Sequence, residues 1–168
     1  RMTSSTHKLN NPAREAPFPS VAILAKFSAF LGSLPQFLAD ERDLSGYSGQ
    51  DPAVSEWIRT AEASQKNTLA ICETILEAEA NNVADRALQK VAETFQKILL
   101  TDDPEEVTQH REHARIRRWA WQVPSNVHKS SVYNAAINVA LDALEVVLML
   151  EDIFDARALD WAETGPDA

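Results

Sequence analysis

A seven-residue hydrophobic series runs through the C-terminal part of the chain, in a stretch from Val127 to Trp161 that contains neither Gly nor Pro. Residues seven apart lie on one side of a helix, so the pattern predicts one long final helix. Between Leu141 and Leu150 the only polar residues are Asp142 and Glu145, and a helix this apolar has to be largely surrounded by protein. The series consists of Tyr133, Ala140, Val147, Phe154 and Trp161.

The first half of the chain also shows apolar residues at helical spacing. A helix is expected to begin near Ser20, which is a good N-cap, and to end at Gly32. A short second helix is expected to follow, with Ser33 as its cap and Pro35 in its first turn.

Capping residues predict the later helix starts. Asp51-Pro52 and Asp103-Pro104 each place a capping carboxylate before a Pro at the first helical position. Asn82 and Asp85 have the spacing of a capping box, and the helix behind them carries the cleanest apolar stripe. Val123-Pro124 is expected to end the helix that Asp103 begins, and Ser125 or Ser130/Ser131 to start the last one.

These elements predict an all-α, single-domain helical bundle of five or six helices, mostly antiparallel, with a long C-terminal helix at its core. Residues 1–17 are expected to form a flexible N-terminal arm, residues 18–163 the bundle and residues 164–168 a flexible tail. A chain of 168 residues can bury a sizeable core without a disulfide or a metal.

The apolar content of the chain also bears on its location. No run of 18 apolar residues is present, so no membrane span is predicted, and Val21 to Leu34 fits a first bundle helix better than a signal peptide. The single cysteine, Cys72, lies on an apolar helix face and is expected to be buried and unreactive. A lone cysteine gives no sign of an oxidising compartment, and we expect a cytoplasmic protein.

The charge is acidic and uneven along the chain. The formal net charge is −9, which argues against nucleic acid as a partner. From Ala140 onward the chain carries eight acidic residues and one basic residue, Arg157. Thr108 to Arg118 instead contains four Arg and one Glu. This contrast fits either two helices with oppositely charged outer faces or a binding surface on one of them.

The segment from His110 to Trp121 has the composition of a binding surface. Arg and Trp are the residue types most enriched at binding hot spots, and a guanidinium over an indole adds cation–π attraction. On one continuous helix Arg111, Arg115 and Arg118 share a face, and Trp121 lies next along it.

A structural alternative explains the same segment. Trp119 then packs inward with Ile116 and Val123, while the Arg side chains pair with the acidic last helix.

No metal or other cofactor is predicted. Glu106, His110 and His113 fall on one helix face, but they lack the spacing of helical zinc motifs and lie among Arg residues that repel a cation. Asp102 and Asp103 are four and three residues before Glu106, an acidic spacing also found in magnesium sites. A helix cap explains each of these residues.

One enzymatic alternative stays open. Asp142, Glu145 and Asp152 form an acidic stripe on the last helix, and an earlier helix offers Glu73, Glu77 and Glu79. Carboxylates from two helices can hold a magnesium ion and a phosphorylated substrate if they converge on one pocket.

The sequence favours a non-enzymatic protein-interaction module: an adaptor, an inhibitor or an immunity-type protein. Such a protein would use its acidic and Arg/Trp surfaces to bind a protein partner. The alternative is a small magnesium-dependent enzyme acting on a nucleotide or phosphorylated substrate. The partner-binding residues would be Arg111, Arg115, Arg118, Trp121, Asp152 and Asp155.

We also expect a homodimer, because one chain of this size cannot cover every apolar side of the last helix. The interface residues would be Tyr133, Val147, Phe154 and Trp161.

Overall fold

The computed structural model describes residues 21–45, 52–101, 103–116 and 118–150 of the chain. Within this part the chain is helical, without strands, and the prediction of an all-α bundle is confirmed. The helices are α1 (Val21–Ser45), α2 (Pro52–Leu76), α3 (Val83–Leu100), α4 (Pro104–Ile116), the short 3-10 helix η1 (Arg118–Trp121) and α5 (Ser130–Met149).

Side-chain hydrogen bonds show that α1 and α2 run antiparallel. Near the beginning of α1, Lys26 Nζ donates to the carbonyl oxygen of Thr74 near the end of α2, at 2.7 Å. At the middle of both helices, Thr68 Oγ1 donates to Ser33 Oγ at 3.3 Å. Residues early in one helix therefore meet residues late in the other.

The pair α2 and α3 is antiparallel by the same criterion. Gln65 Nε2 at the middle of α2 donates to the carbonyl oxygen of Leu99 at the end of α3, at 3.2 Å. Gln89 Nε2 in the first half of α3 donates to the carbonyl oxygens of Ile75 at 3.0 Å and Ala78 at 2.7 Å, at and just beyond the end of α2. Gln89 thus satisfies carbonyl groups that the helix end leaves without an intrahelical partner.

The first helix corrects the predicted break at Gly32. α1 continues through Gly32 and Pro35 as one helix of 25 residues. Ser33 does not cap a new helix, since its hydroxyl donates to the carbonyl oxygen of Phe30 one turn back, at 2.8 Å. The helix keeps its course because its apolar stripe continues past Pro35, and burial of that stripe outweighs the hydrogen bond that proline removes. The buried stripe consists of Ile23, Phe27, Phe30, Leu34 and Phe37.

The predicted caps of α3 and α4 are confirmed. Asn82 Oδ1 accepts from the backbone N–H of Asp85 at 3.0 Å, and Asn82 Nδ2 donates to Asp85 Oδ2 at 2.9 Å. Asp85 Oδ2 also accepts from the backbone N–H of Asn81 at 3.1 Å, so the carboxylate turns back on the helix start as in a capping box. At α4, Asp103 Oδ1 accepts from the N–H of Glu105 at 2.8 Å.

Helix α3 lies at the centre of the described bundle, because it contacts α1, α2, α4, α5 and η1. The ring of Phe95 packs edge-on against Phe30 of α1, with centroids 4.9 Å apart. The last helix, α5, packs against α1, α3 and α4. The buried residues of α3 are Ala84, Asp85, Leu88, Val91, Ala92, Phe95, Ile98 and Leu99.

The last helix is shorter than the sequence predicts. It begins at Ser130, after Lys129 in the left-handed conformation with φ of 58°, and it ends at Met149. Leu150 leaves the helical conformation with φ of −78° and ψ of 61°, the angles of a tight inverse turn, and its N–H bonds to the carbonyl oxygens of the preceding turn. The absence of Gly and Pro did not prevent this ending. Phe154 and Trp161 lie outside the described residues.

Two helices are long and apolar enough to cross a membrane, namely Ala22–Leu44 within α1 and Ser130–Met149, which is α5. Both also supply residues to the core cluster, and core helices of this length and composition meet the same description. The expected arm at residues 1–17 and tail at residues 164–168 lie outside the described part, and the division into arm, bundle and tail stays a prediction.

Candidate functional site

The residues of the Arg/Trp segment do not lie on one helix. α4 ends at Ile116, and Arg118 to Trp121 form the separate 3-10 helix η1. The prediction that Arg118 and Trp121 continue the face of Arg115 is therefore wrong. An α-helix has about 3.6 residues per turn and a 3-10 helix about 3.0. The side chains of η1 therefore point in other directions than they would on a continued α4.

Arg118 joins η1 to α5. Its guanidinium forms an ion pair with Asp142, lies 3.5 Å from Glu145 Oε1 and donates to the backbone carbonyl oxygen of Asn138 at 3.0 Å. The alternative in which Arg residues pair with the acidic last helix thus holds for Arg118. This side chain braces the fold.

The chain after η1 is fixed to the same side of α5. Gln122 Nε2 donates to Asn138 Oδ1 at 3.0 Å. The side-chain amide of Asn134 bonds both backbone groups of Val123, accepting from its N–H at 2.7 Å and donating to its carbonyl oxygen at 3.0 Å. The polar residues of α5 therefore form a line that faces η1: Asn134, Asn138, Asp142 and Glu145.

The two tryptophans of η1 have opposite environments. Trp121 is 5% exposed and belongs to the core cluster, whereas Trp119 is 75% exposed. In a 3-10 helix each residue turns by about 120°, so residues two apart point to different sides. The structural alternative is therefore wrong about Trp119, because Trp121 is the tryptophan that packs inward. Lys90 of α3 lies over the ring of Trp121, with its Nζ 5.6 Å from the ring centroid. The core-facing tryptophan therefore makes the cation–π contact.

Trp119 of η1 and the last two residues of α4 are all exposed, and we call these three the α4–η1 surface: Arg115, Ile116 and Trp119. Trp119 is 75% exposed and Ile116 is 69% exposed, so both side chains leave apolar area in water. Arg111 is in α4, but its side chain is outside the described set, as are Asp152 and Asp155.

The described carboxylates of the enzymatic alternative, on α5 and at the end of α2, do not converge on one pocket. Glu73, Glu77 and Glu79 are exposed at and beyond the end of α2, and Asp142 and Glu145 already face Arg118. Within residues 21–45, 52–101, 103–116 and 118–150, no group of three or more His, Cys, Asp or Glu side chains is arranged to hold a metal ion.

An open groove lies between the end of α3 and the beginning of α4. Its rim carries both charge signs, with Lys97 on one side and Glu106 on the other, and Glu106 accepts a hydrogen bond from Thr101 Oγ1 at 2.7 Å. The remaining lining residues are Gln96, Leu100, Asp103, Gln109 and His110. His110 and Glu106 thus line one groove.

Cys72 is buried, as predicted. Burial raises the pKa of its thiol to about 12, and the neighbouring Glu73 carboxylate adds to this rise. A thiol in this state is not a nucleophile near neutral pH.

Two of the four predicted interface residues, Tyr133 and Val147, lie in α5, whereas Phe154 and Trp161 lie outside the described residues. Tyr133 and Val147 are enclosed by the chain's own helices, so neither is on the surface of a single chain. Two exposed apolar residues of α5, Val132 and Val139, belong instead to a second seven-residue series. The same seven-residue spacing would have found it, at Val132, Val139 and Val146.

Comparisons with protein-family models, with curated protein sequences and with solved structures found no match to this chain.

Proposed function

We propose that this chain is a non-enzymatic protein-interaction module, an adaptor, inhibitor or immunity-type protein, and that it binds a protein partner through the α4–η1 surface. The observation that carries the proposal is Trp119, which is 75% exposed on a turn that hydrogen bonds hold in place. Trp is the residue type most enriched among binding hot spots.

The turn that carries Trp119 is preorganised. Trp121 anchors it in the core, Arg118 ties it to Asp142, and the side chain of Asn134 holds the backbone of Val123. A side chain presented on a fixed backbone loses less conformational freedom on binding, which favours affinity. The bracing of this turn therefore suits a binding role for Trp119 as well as a structural one for Arg118.

The chemistry of the partner follows from the charge of the chain. With a net charge of −9, the molecule attracts basic partners at long range and speeds their association. We therefore propose a partner that has an apolar pocket for Trp119 and basic residues outside that pocket, facing the acidic C-terminal part of the chain rather than Arg115. Asp152 and Asp155, in the acidic C-terminal part, would add to the attraction without entering the pocket.

The magnesium-dependent enzyme remains the alternative. It requires carboxylates from two helices around one cavity. In the described part of the chain, Asp142 and Glu145 face Arg118 rather than a cavity, and this gives the enzyme no support. A cytoplasmic location belongs to the same proposal, since the lone cysteine needs no oxidising compartment.

The test uses the tagged full chain to isolate a partner from cells of its source, followed by titration of that purified partner. Trp119→Ala should weaken binding by roughly 30-fold, the equivalent of about 2 kcal/mol for a hot-spot residue. Trp57→Ala is the control, because Trp57 is a partly exposed tryptophan of α2, away from this surface. A partner that binds the Trp119→Ala variant with unchanged affinity would contradict the proposal.

A further inference from the structure

Helix α5 carries two apolar faces. The first is the core face, on which Tyr133, Ala140 and Val147 recur every seven residues and are all buried. The second also recurs every seven residues, at Val132, Val139 and Val146. Val132 is 51% exposed and Val139 is 54% exposed, while Val146 is half-buried. A helix that is apolar on two sides requires cover on both.

The second face has the spacing of a helix–helix seam. Three residues after each valine comes Ala135, Asp142 or Met149. The positions therefore follow the alternating spacing of three and four residues along which two helices pack. Ala135 and Met149 are exposed. We call this set the outer face of α5: Val132, Ala135, Val139, Asp142, Val146 and Met149.

The outer face is electrically neutral in a strongly acidic molecule. Asp142 is its only ionisable residue, and Arg118 of the same chain forms an ion pair with that carboxylate. A basic partner gains nothing from a neutral apolar strip. A second neutral apolar strip of the same shape fits it without like-charge repulsion, and another copy of this chain provides one.

We propose that the outer face of α5 is the contact between two copies of this chain, with the two α5 helices packed antiparallel about a two-fold axis. The valines alternate with Ala135, Asp142 and Met149, and the smaller Ala135 leaves room for a valine of the second copy. The interface of this proposed homodimer consists of the outer face of α5 and does not include Tyr133 or Val147, the residues expected from the sequence.

The position of Asp142 selects the antiparallel arrangement. Parallel helices in register would place the two Asp142 carboxylates side by side, and the ion pair of each with its own Arg118 would reduce their repulsion without removing it. When the axis passes midway between Val139 and Asp142, each Asp142 instead faces Val139 of the second copy. The same alignment sets Ala135 opposite Val146, and Val132 opposite Met149.

The size of the face sets the strength of the contact. A helix of 20 residues is about 30 Å long, so this face alone offers less than the about 800 Å² per partner of a standard interface. The dimer should therefore depend on concentration in the micromolar range. It is independent of the α4–η1 surface, since Trp119 takes no part in it, and either proposal can fail without the other.

Sedimentation velocity of the full chain between about 1 and 300 µM tests the proposal, in the range where interfaces of this size assemble. The parent protein should shift from monomer to dimer, and Val139→Glu should remain monomeric at the highest concentration. Val83→Glu is the matched control, because Val83 is also a partly exposed valine, at the first turn of α3, and this variant should dimerise like the parent.

Several outcomes would overturn the proposal. They are a parent protein that stays monomeric throughout, a dimer that Val139→Glu leaves intact, or an equal loss in the Val83→Glu variant. Circular dichroism of each variant shows whether it is folded. Flotation of the parent with neutral phosphatidylcholine vesicles, abolished by Val139→Glu in a protein that stays monomeric in buffer, would assign the face to lipid and also reject the dimer.

Discussion

Helices α3 and α5 are both core helices, yet they relate to solvent differently. α3 buries one stripe and turns charged residues outward, among them Glu93 and Lys97, which pair at 2.7 Å. α5 buries a comparable stripe, but its polar residues face η1, and its remaining side is the exposed series of Val132 and Val139. The described residues therefore cover the apolar stripe of α3, whereas they leave a second apolar series of α5 exposed.

The largest effect should come from the buried stripe of α3. Phe95→Ala removes a fully buried ring that packs against Phe30, and it should lower the free energy of unfolding by about 3–5 kcal/mol. Val139→Ala on the outer face of α5 should cost less than about 1 kcal/mol in dilute solution, where the protein is monomeric. Chemical denaturation of both variants measures the difference. Similar losses would contradict the contrast between the two helices.

A smaller effect is expected at the start of α3. Asn82→Ala removes the side-chain oxygen that accepts from the N–H of Asp85, together with the amide that donates to the Asp85 carboxylate. Replacing such a cap should lower stability by about 1 kcal/mol. Denaturation of this variant is compared with Asn81→Ala, since the exposed Asn81 side chain lies just outside the cap. An unchanged midpoint for Asn82→Ala would show that the cap contributes little.

Much of this organisation follows from sequence rules. The caps at Asn82 and Asp103 and the stripe of α3 were predicted, because hydrogen bonds within a few residues and a one-sided apolar pattern are local. The break at Gly32 was predicted wrongly, since distant packing partners keep α1 helical. The ending of α5 at Leu150 was missed because no Gly or Pro marks it.

The candidate site depended still more on tertiary structure. The composition pointed to the Arg/Trp segment, but the opposite environments of Trp119 and Trp121 come from a 3-10 turn that α5 holds in place. The outer face of α5 was present in the sequence as a second seven-residue series. Which of the two series is buried depends on how α5 packs against α1 and α3.

The polar line of α5 should contribute a modest amount. Arg118→Ala removes the ion pair with Asp142 and the bond to the Asn138 carbonyl, and we expect a loss of about 0–1 kcal/mol, as for partly exposed ion pairs. Arg115→Ala, on the exposed side of α4, should leave stability unchanged. Thermal melts of both variants at low and high salt check this. An equal loss in both would show that Arg118 has no special bracing role.

Two buried groups that can lose a proton, Tyr133 of α5 and Cys72 of α2, should make the free energy of unfolding depend on pH. Burial raises the pKa of Tyr133 above its ordinary value, and the Asp85 carboxylate adds to the rise. The pKa of Cys72 is raised from 9.0 to about 12. Both groups lose their protons more readily in the unfolded chain, so their contribution is fully present below about pH 9 and is lost as the pH rises toward 12.

Denaturant titrations at intervals from pH 8 to pH 11 measure this effect. The free energy of unfolding should fall as the pH rises, and Tyr133→Phe should make the fall shallower. Stability that stays level or increases across this range would contradict the burial of both groups.

The central claim is that two copies of α5 meet along their outer faces, and chemical cross-linking tests it most directly. The variants Val132→Cys and Met149→Cys are prepared separately with different tags, mixed, and treated with a short bismaleimide, while the buried Cys72 stays unreacted. Antiparallel packing predicts cross-links between the two variants and few within either one. Val83→Cys mixed with Met149→Cys gives the background. Cross-linking of the Val132→Cys and Met149→Cys mixture no stronger than this background would contradict the account.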